Sequence, residues 1–189
     1  MGGEPIDDRE RWNERYRSGS EGATPLLLGR HLHHFPRSGR ALDVAGGTGQ
    51  AAAILAARGL DVTVVDVSDV ALARATERAE RSALTIETVR RDLTTEPLPD
   101  GPWSVITCFD YLDRALFPVM IDALAPGGGL LALSLATRTN LERHDRPSAR
   151  FLLDDGELPA LVEGLEILHL QEGWQLDGRH SVELIGRRL

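Results

Sequence analysis

The sequence predicts an α/β fold: an open sheet of seven strands, mostly parallel, with helices on both faces and an antiparallel hairpin at its C-terminal end. Three observations carry this. Short apolar runs alternate with helix-forming stretches, as crossover units require. A glycine turn, Ala45-Gly46-Gly47-Thr48-Gly49, leads from the first apolar run into an alanine-rich helix. The last two apolar runs are joined by too few residues for a crossover helix, so they must pair antiparallel.

The size is right for one such domain. The chain has 189 residues, and 42% of them are hydrophobic, enough for a full core. Residues 1–39 read as an N-terminal helical cap and 40–189 as the main domain. No run of eighteen apolar residues occurs, so no membrane span or membrane partner is expected. The first residues carry neither a basic start nor an apolar signal core, and the single cysteine, Cys108, fits a reducing compartment. A cytoplasmic location is the expectation. The net charge of −8 makes nucleic acid a poor partner. All 21 basic residues are arginine, which excludes lysine Schiff-base chemistry.

The elements follow in order. Residues 7–17 form a polar helix with acids near its start. Trp12 and Tyr16 are four apart and share a face of it. Thr24-Pro25 reads as the N-cap and first position of a second helix, with Leu28, Leu32 and Phe35 as its apolar stripe. His31 and His34 can face the same way there. With no carboxylate or cysteine at ligand spacing, surface histidines are expected and no metal site.

Leu42 and Val44 supply the first strand, and residues 60–66 the second, ending in Asp66. Ser68 caps a helix over 69–82, whose buried face is Leu72, Ala75 and Ala79. A third strand spans 84–89, a fourth 103–109 and a fifth 130–135, with one helix from about residue 115 to Pro126. Residues 137–150 are polar and read as a long loop bearing Arg138, Arg143, Arg146 and Arg150. A helical stretch, 156–164, precedes the strands of the hairpin, 165–170 and 181–187.

The glycine turn points to a nucleotide-type ligand. Glycines remove the Cβ atoms that would block a ligand, and free N–H groups at a helix start face whatever sits above. In an open parallel sheet this crevice lies at the carboxyl ends of the strands. Gly47-x-Gly49-x-x-Ala52 fits a dinucleotide fingerprint, and Asp66 stands where an acid would hold a ribose. A nicotinamide dehydrogenase is therefore one reading. Against it, Asp43 precedes the glycines, where it would repel a pyrophosphate, and no second mononucleotide-binding half follows. A ligand with a ribose and a positive group, but no phosphates, suits the acids better.

These residues resemble the class I S-adenosylmethionine-dependent methyltransferases, with their Rossmann-like sheet. Leu42-Asp43-Val44-Ala45-Gly46-Gly47-Thr48-Gly49 looks like the first motif of that family. Val65-Asp66-Val67-Ser68 resembles the second, and Asp92-Leu93 with Pro97-Leu98-Pro99 the third. Leu124-Ala125-Pro126-Gly127-Gly128 resembles the turn into the fifth strand. Ala45 departs from the pattern, standing where many members have the first of three glycines. More narrowly, Trp12-Asn13-Glu14-Arg15-Tyr16 and Phe151 to Leu158 are similar to segments of small bacterial tellurite-resistance and thiopurine methyltransferases.

The resemblance implies S-adenosylmethionine as cofactor and methyl transfer to a small molecule. It would place Asp43 near the methionine ammonium and let Ala45, Gly46, Gly47 and Gly49 approach the methionine and ribose. Asp66, beside Val67, would accept the ribose hydroxyls, so its loss should weaken binding and leave the unliganded stability almost unchanged. Asp92 would meet the adenine amine, Leu93 and Phe109 the ring, and Trp12 and Tyr16 would cover the cofactor. The plain alternative for each acid is a cap or a strand-end charge. Asp110 and Tyr111 are the candidates to orient a substrate or take its proton. The cap and the 137–150 loop suit lids over the site. A cofactor-binding protein without catalysis is the competing function. Nothing in the sequence sets the oligomeric state.

Overall fold

A computed structural model describes residues 7–22 and 24–189. Residues 1–6 and 23 of the expected cap lie outside the described residues. The sheet has seven strands in the order β3-β2-β1-β4-β5-β7-β6. They are β1 (Arg40–Val44), β2 (Asp61–Asp66), β3 (Ile86–Arg90), β4 (Val105–Phe109), β5 (Leu130–Ala136), β6 (Leu165–Trp174) and β7 (His180–Arg188). β1 to β5 are parallel, and β7 runs antiparallel to both β5 and β6. The expected hairpin therefore forms, with strands longer than expected.

Helices cover both faces because the buried strands point alternate residues to opposite sides. On one side Leu42, Val44, Ile106 and Leu133 pack with α5 (Leu116–Ala123) and α6 (Leu158–Leu161). On the other, Ala41, Val62, Val64 and Val105 pack with α2 (Leu26–His31) and α3 (Gln50–Arg58). Leu72 of α4 (Asp69–Arg81) joins this second cluster. No helix separates β3 from β4, so the chain crosses from one half of the sheet to the other there, leaving a crevice beyond β1 and β4.

Three local expectations change. The second helix begins at Leu26 and not at Pro25, which stays extended at ψ 107 because the proline ring fixes φ and leaves ψ free. It ends in a 3-10 turn, Leu32–His34. The 137–150 segment is not a loose loop. Two 3-10 turns, Arg138–Glu142 and Ala149–Phe151, bracket it. Buried Asn140 donates to the Arg146 carbonyl at 2.9 Å and accepts from the His180 amide at 3.0 Å, which anchors the segment to β7.

The first helix, α1 (Asp8–Arg17), is likewise tied down. Asn13 is its one buried residue. Its side-chain oxygen accepts from the Ser68 hydroxyl at 2.6 Å and the Val70 amide at 3.3 Å, so α1 completes the capping of α4. Ser68 also accepts from the Ala71 amide at 3.1 Å, the N-cap expected from the sequence. Among the described residues no helix is long and apolar enough to cross a membrane.

Candidate cofactor site

The glycine turn leaves the end of β1 and is wound by two backbone bonds. Gly46 donates to the Val65 carbonyl at 3.2 Å and Gly49 to the Gly46 carbonyl at 3.0 Å. Gly47 and Gly49 adopt φ of 54° and 75°. A Cβ on Gly47 would stand 2.7 Å from the Tyr16 hydroxyl, so the glycine lets α1 close over the turn.

Ala45 shares this left-handed conformation at φ 51°, which a side chain resists. Relief of that strain should exceed the added freedom of an unfolded glycine. Ala45→Gly should therefore raise unfolding stability by about 0.5–1 kcal/mol. Denaturant titration checks this, and a less stable variant would mean that the Ala45 methyl packs too well to lose.

Asp66 ends β2 and is buried. One of its oxygens accepts from the Gly47 amide and the other from the Ser68 amide, both at 2.9 Å. The carboxylate thus joins the glycine turn to the start of α4. Burial pushes its pKa up, and the amides of Ser68, Gly47 and Val67 oppose that. Tyr16, against the same group, is pushed above the usual phenol range by burial first and by the Asp66 charge second.

Asp43 lies deeper, on the α3 face of β1. Oδ1 accepts from the Thr107 hydroxyl at 2.7 Å, whereas buried Oδ2 has no hydrogen-bond partner. A Cβ on Gly46 would sit 2.5 Å from that oxygen, so the turn closes directly over the carboxylate. Burial pushes its pKa up to about 7, against the pull of Thr107 and the Ala52 amide, and Asp66 pushes the same way.

The folded chain holds the Asp43 proton more tightly than the unfolded one, so the contribution is full at low pH. It is lost as pH rises from about 4 to about 7. Asp43→Asn should remove that part of the slope. Urea unfolding of both proteins across this range measures it, and parallel curves would exclude the effect.

The remaining predicted residues are less united. Asp92 caps its own turn, with Oδ1 accepting from the Thr94 amide at 3.0 Å and hydroxyl at 2.6 Å. Leu93 is buried in the core. Cys108 is buried too, as expected of a small core residue, and burial raises its pKa. Phe109 ends β4, and Asp110 follows it. Asp110 stands at φ 57° and is held by the Arg179 guanidinium at 2.7 Å. Tyr111 packs against the core, and burial, then Asp113, push its pKa up.

Sequence reasoning missed Arg179, Thr107 and Asn13. Arg179 sits in a hairpin turn, and only folding carries it to the end of β4. Asn13 had a signal, lying within the quoted Trp-to-Tyr segment. The loop arginines are engaged locally: Arg138 pairs with Asp154, Arg143 lies over the Trp174 ring at 3.9 Å, and Arg150 over Phe151 at 4.3 Å.

Residues 41–128 match a family described as a methyltransferase domain, and this span holds β1 to β4, the glycine turn, Asp43 and Asp66. Over this span the chain resembles the class I S-adenosylmethionine-dependent methyltransferases. The ubiquinone/menaquinone biosynthesis C-methyltransferase UbiE of Methylobacterium nodulans is 34% identical over 158 residues, covering 70% of this chain. That match spans 62% of the relative, less than two thirds of its length.

Among solved structures, TehB from Haemophilus influenzae superposes with a TM-score of 0.71 at 17% identity, covering 96% of this chain and 67% of that one. Magnesium protoporphyrin IX methyltransferase (ChlM) from Synechocystis PCC 6803, solved with bound SAH, gives 0.71 at 16% identity, covering 96% and 98%. Both likenesses are of fold.

The residues around the glycine turn fit S-adenosylmethionine, the cofactor of the families that the chain resembles. Gly46, Gly47 and Gly49 add no side chains to the turn, and Asp43 Oδ2 is a buried acceptor without a partner beneath it. A ligand bearing an ammonium would offset the cost of that buried charge.

Proposed function

We propose that the protein transfers a methyl group from S-adenosylmethionine to a small polar acceptor. The observation that carries this reading is the buried pair Asp43 and Asp66 set around a glycine-rich turn at the sheet's crossover point. When bound, the cofactor supplies a methyl group already activated on a sulfonium. The chain then has mainly to align it and exclude water.

In this reading Asp66 exchanges its amide partners for the ribose hydroxyls, a task that suits two carboxylate oxygens. Asp43 acts through its field from below the turn. Val67, Leu93 and Phe109 border the adenine side, with the second oxygen of Asp92 at its amine. Tyr16 and Trp12, whose rings lie 6.0 Å apart on α1, cover the site as the 1–39 cap.

The acceptor would enter the cleft beyond β4 and β5, lined by Phe109, Asp110, Ser134, Gln175, Arg179 and Glu183. Arg179 is fixed there between Asp110 at 2.7 Å and Asp177 at 2.9 Å. That charged lining favours a polar acceptor, oriented by Asp110 and Arg179, with Tyr111 as a nearby donor.

Calorimetry with S-adenosylhomocysteine and with NAD, followed by methyl-labelled cofactor with panels of thiols, amines, carboxylates and oxyanions, tests the proposal. Homocysteine-product binding with label transfer supports it. Tight binding without transfer to any acceptor would favour a binding protein, and a preference for NAD would overturn the cofactor.

A further inference from the structure

Far from the glycine turn, the fold gathers four histidines. His31, His33 and His34 leave the end of α2, and one ring nitrogen from each lies within 4.8 Å of the other two. β6 adds His169, at a bulge where its pairing with β7 shifts register. The His169 ring centroid is 4.0 Å from that of His31, and His33 is 4.1 Å from His34. His34 also lines a groove of about 330 Å³ with Ser104, Leu130 and Arg187, where β4 and β5 begin. His34 thus lies toward the end of the sheet opposite the glycine turn.

We propose that His31, His33, His34 and His169 bind one divalent transition-metal ion of the zinc type, which fastens α2 to the edge strand β6. Imidazole nitrogens are the donors such ions prefer. Tetrahedral zinc places its nitrogens about 3.3 Å apart, as follows from Zn–N bonds of about 2.0–2.1 Å. Nitrogens of His31, His33 and His34 already lie within 4.8 Å of one another, and His169 meets this group through His31, ring centroid to ring centroid at 4.0 Å.

An independent observation points to a ligand here. His169 Nε2 is buried and has no hydrogen-bond partner, a cost that coordination would remove.

The charged groups facing the cluster are Arg30 and Arg187. Arg30 pairs with Glu183, and Arg187 reaches Glu166 at 3.3 Å, so the repulsion of an incoming cation is offset locally.

The test uses the full chain without a histidine tag, stripped with chelator. Calorimetry with zinc chloride should give one ion per chain and a raised unfolding temperature. Cobalt(II) should give the visible bands of a four-coordinate nitrogen site. Loss of an outer-shell partner alone costs about 10–100-fold in metal affinity, so His31→Ala, His33→Ala and His169→Ala should each weaken binding by at least about tenfold. His33 is exposed, so its variant should fold regardless of the metal. His144→Ala, outside the cluster, should bind as the parent does.

Two results would overturn the proposal. One is no binding or thermal shift with zinc in excess. The other is binding that survives the cluster variants and disappears with His180→Ala, because Asp155, Glu172 and His180 form a separate group of possible ligands.

Discussion

Asp66→Ala should cost both the cofactor and the fold's local order. From the sequence, this acid is expected to matter for the ligand alone. The structure changes that expectation, because both oxygens hold backbone amides, of Gly47 and Ser68, in a buried setting. Hydrogen bonds to charged groups contribute about 1.5–3 kcal/mol each, and water entering the gap recovers part, so unfolding stability should fall by about 3 kcal/mol. Affinity for S-adenosylhomocysteine should fall by about 1.5–3 kcal/mol as the ribose loses its acceptor. Denaturant unfolding and calorimetry measure the two losses separately. Asp66→Asn keeps one acceptor oxygen and should lie between. Affinity lost at unchanged stability would mean that the bridge to the turn contributes nothing.

Gly49→Ala should be about as damaging, for a different reason. Gly49 stands at the N-cap of α3 with φ 75°, and α4 presses against it. An added Cβ would lie 2.8 Å from the Ala75 methyl and 3.2 Å from the Ala75 Cα, so the backbone of α4 must move. Left-handed strain of about 1–2 kcal/mol and overpacking of about 1–3 kcal/mol add to a loss of about 2–5 kcal/mol. Ala75→Gly introduced with it removes the nearest contact and leaves the backbone strain. The double variant should therefore recover part of the loss in thermal unfolding. No recovery would show that the conformation of the turn, and not the approach of α4, requires the glycine.

Residues near in sequence were legible because local rules govern them. Strand alternation set which face of β1 carries Leu42 and Val44. The glycines announced the turn, Ser68 the cap of α4, and the short connection the antiparallel pairing of β6 with β7. Asp43 stood out as an acid just ahead of the glycines, and Asp66 as an acid at the spacing that would hold a ribose.

The partners themselves were not legible, since each is supplied by a distant part of the chain. Only the packed sheet brings Thr107 to Asp43, Asn13 to Ser68 and Arg179 to Asp110. Only there does Asp66 become a brace as well as a candidate ligand. The histidines show the same division. Spacing alone gave His31 and His34 a common face and no metal. It took the pairing of β6 with β7, and α2 packed on that side of the sheet, to set His169 beside them. Periodicity determined which residues are buried, while side-chain chemistry across the sheet depended on register and packing, which no local stretch encodes.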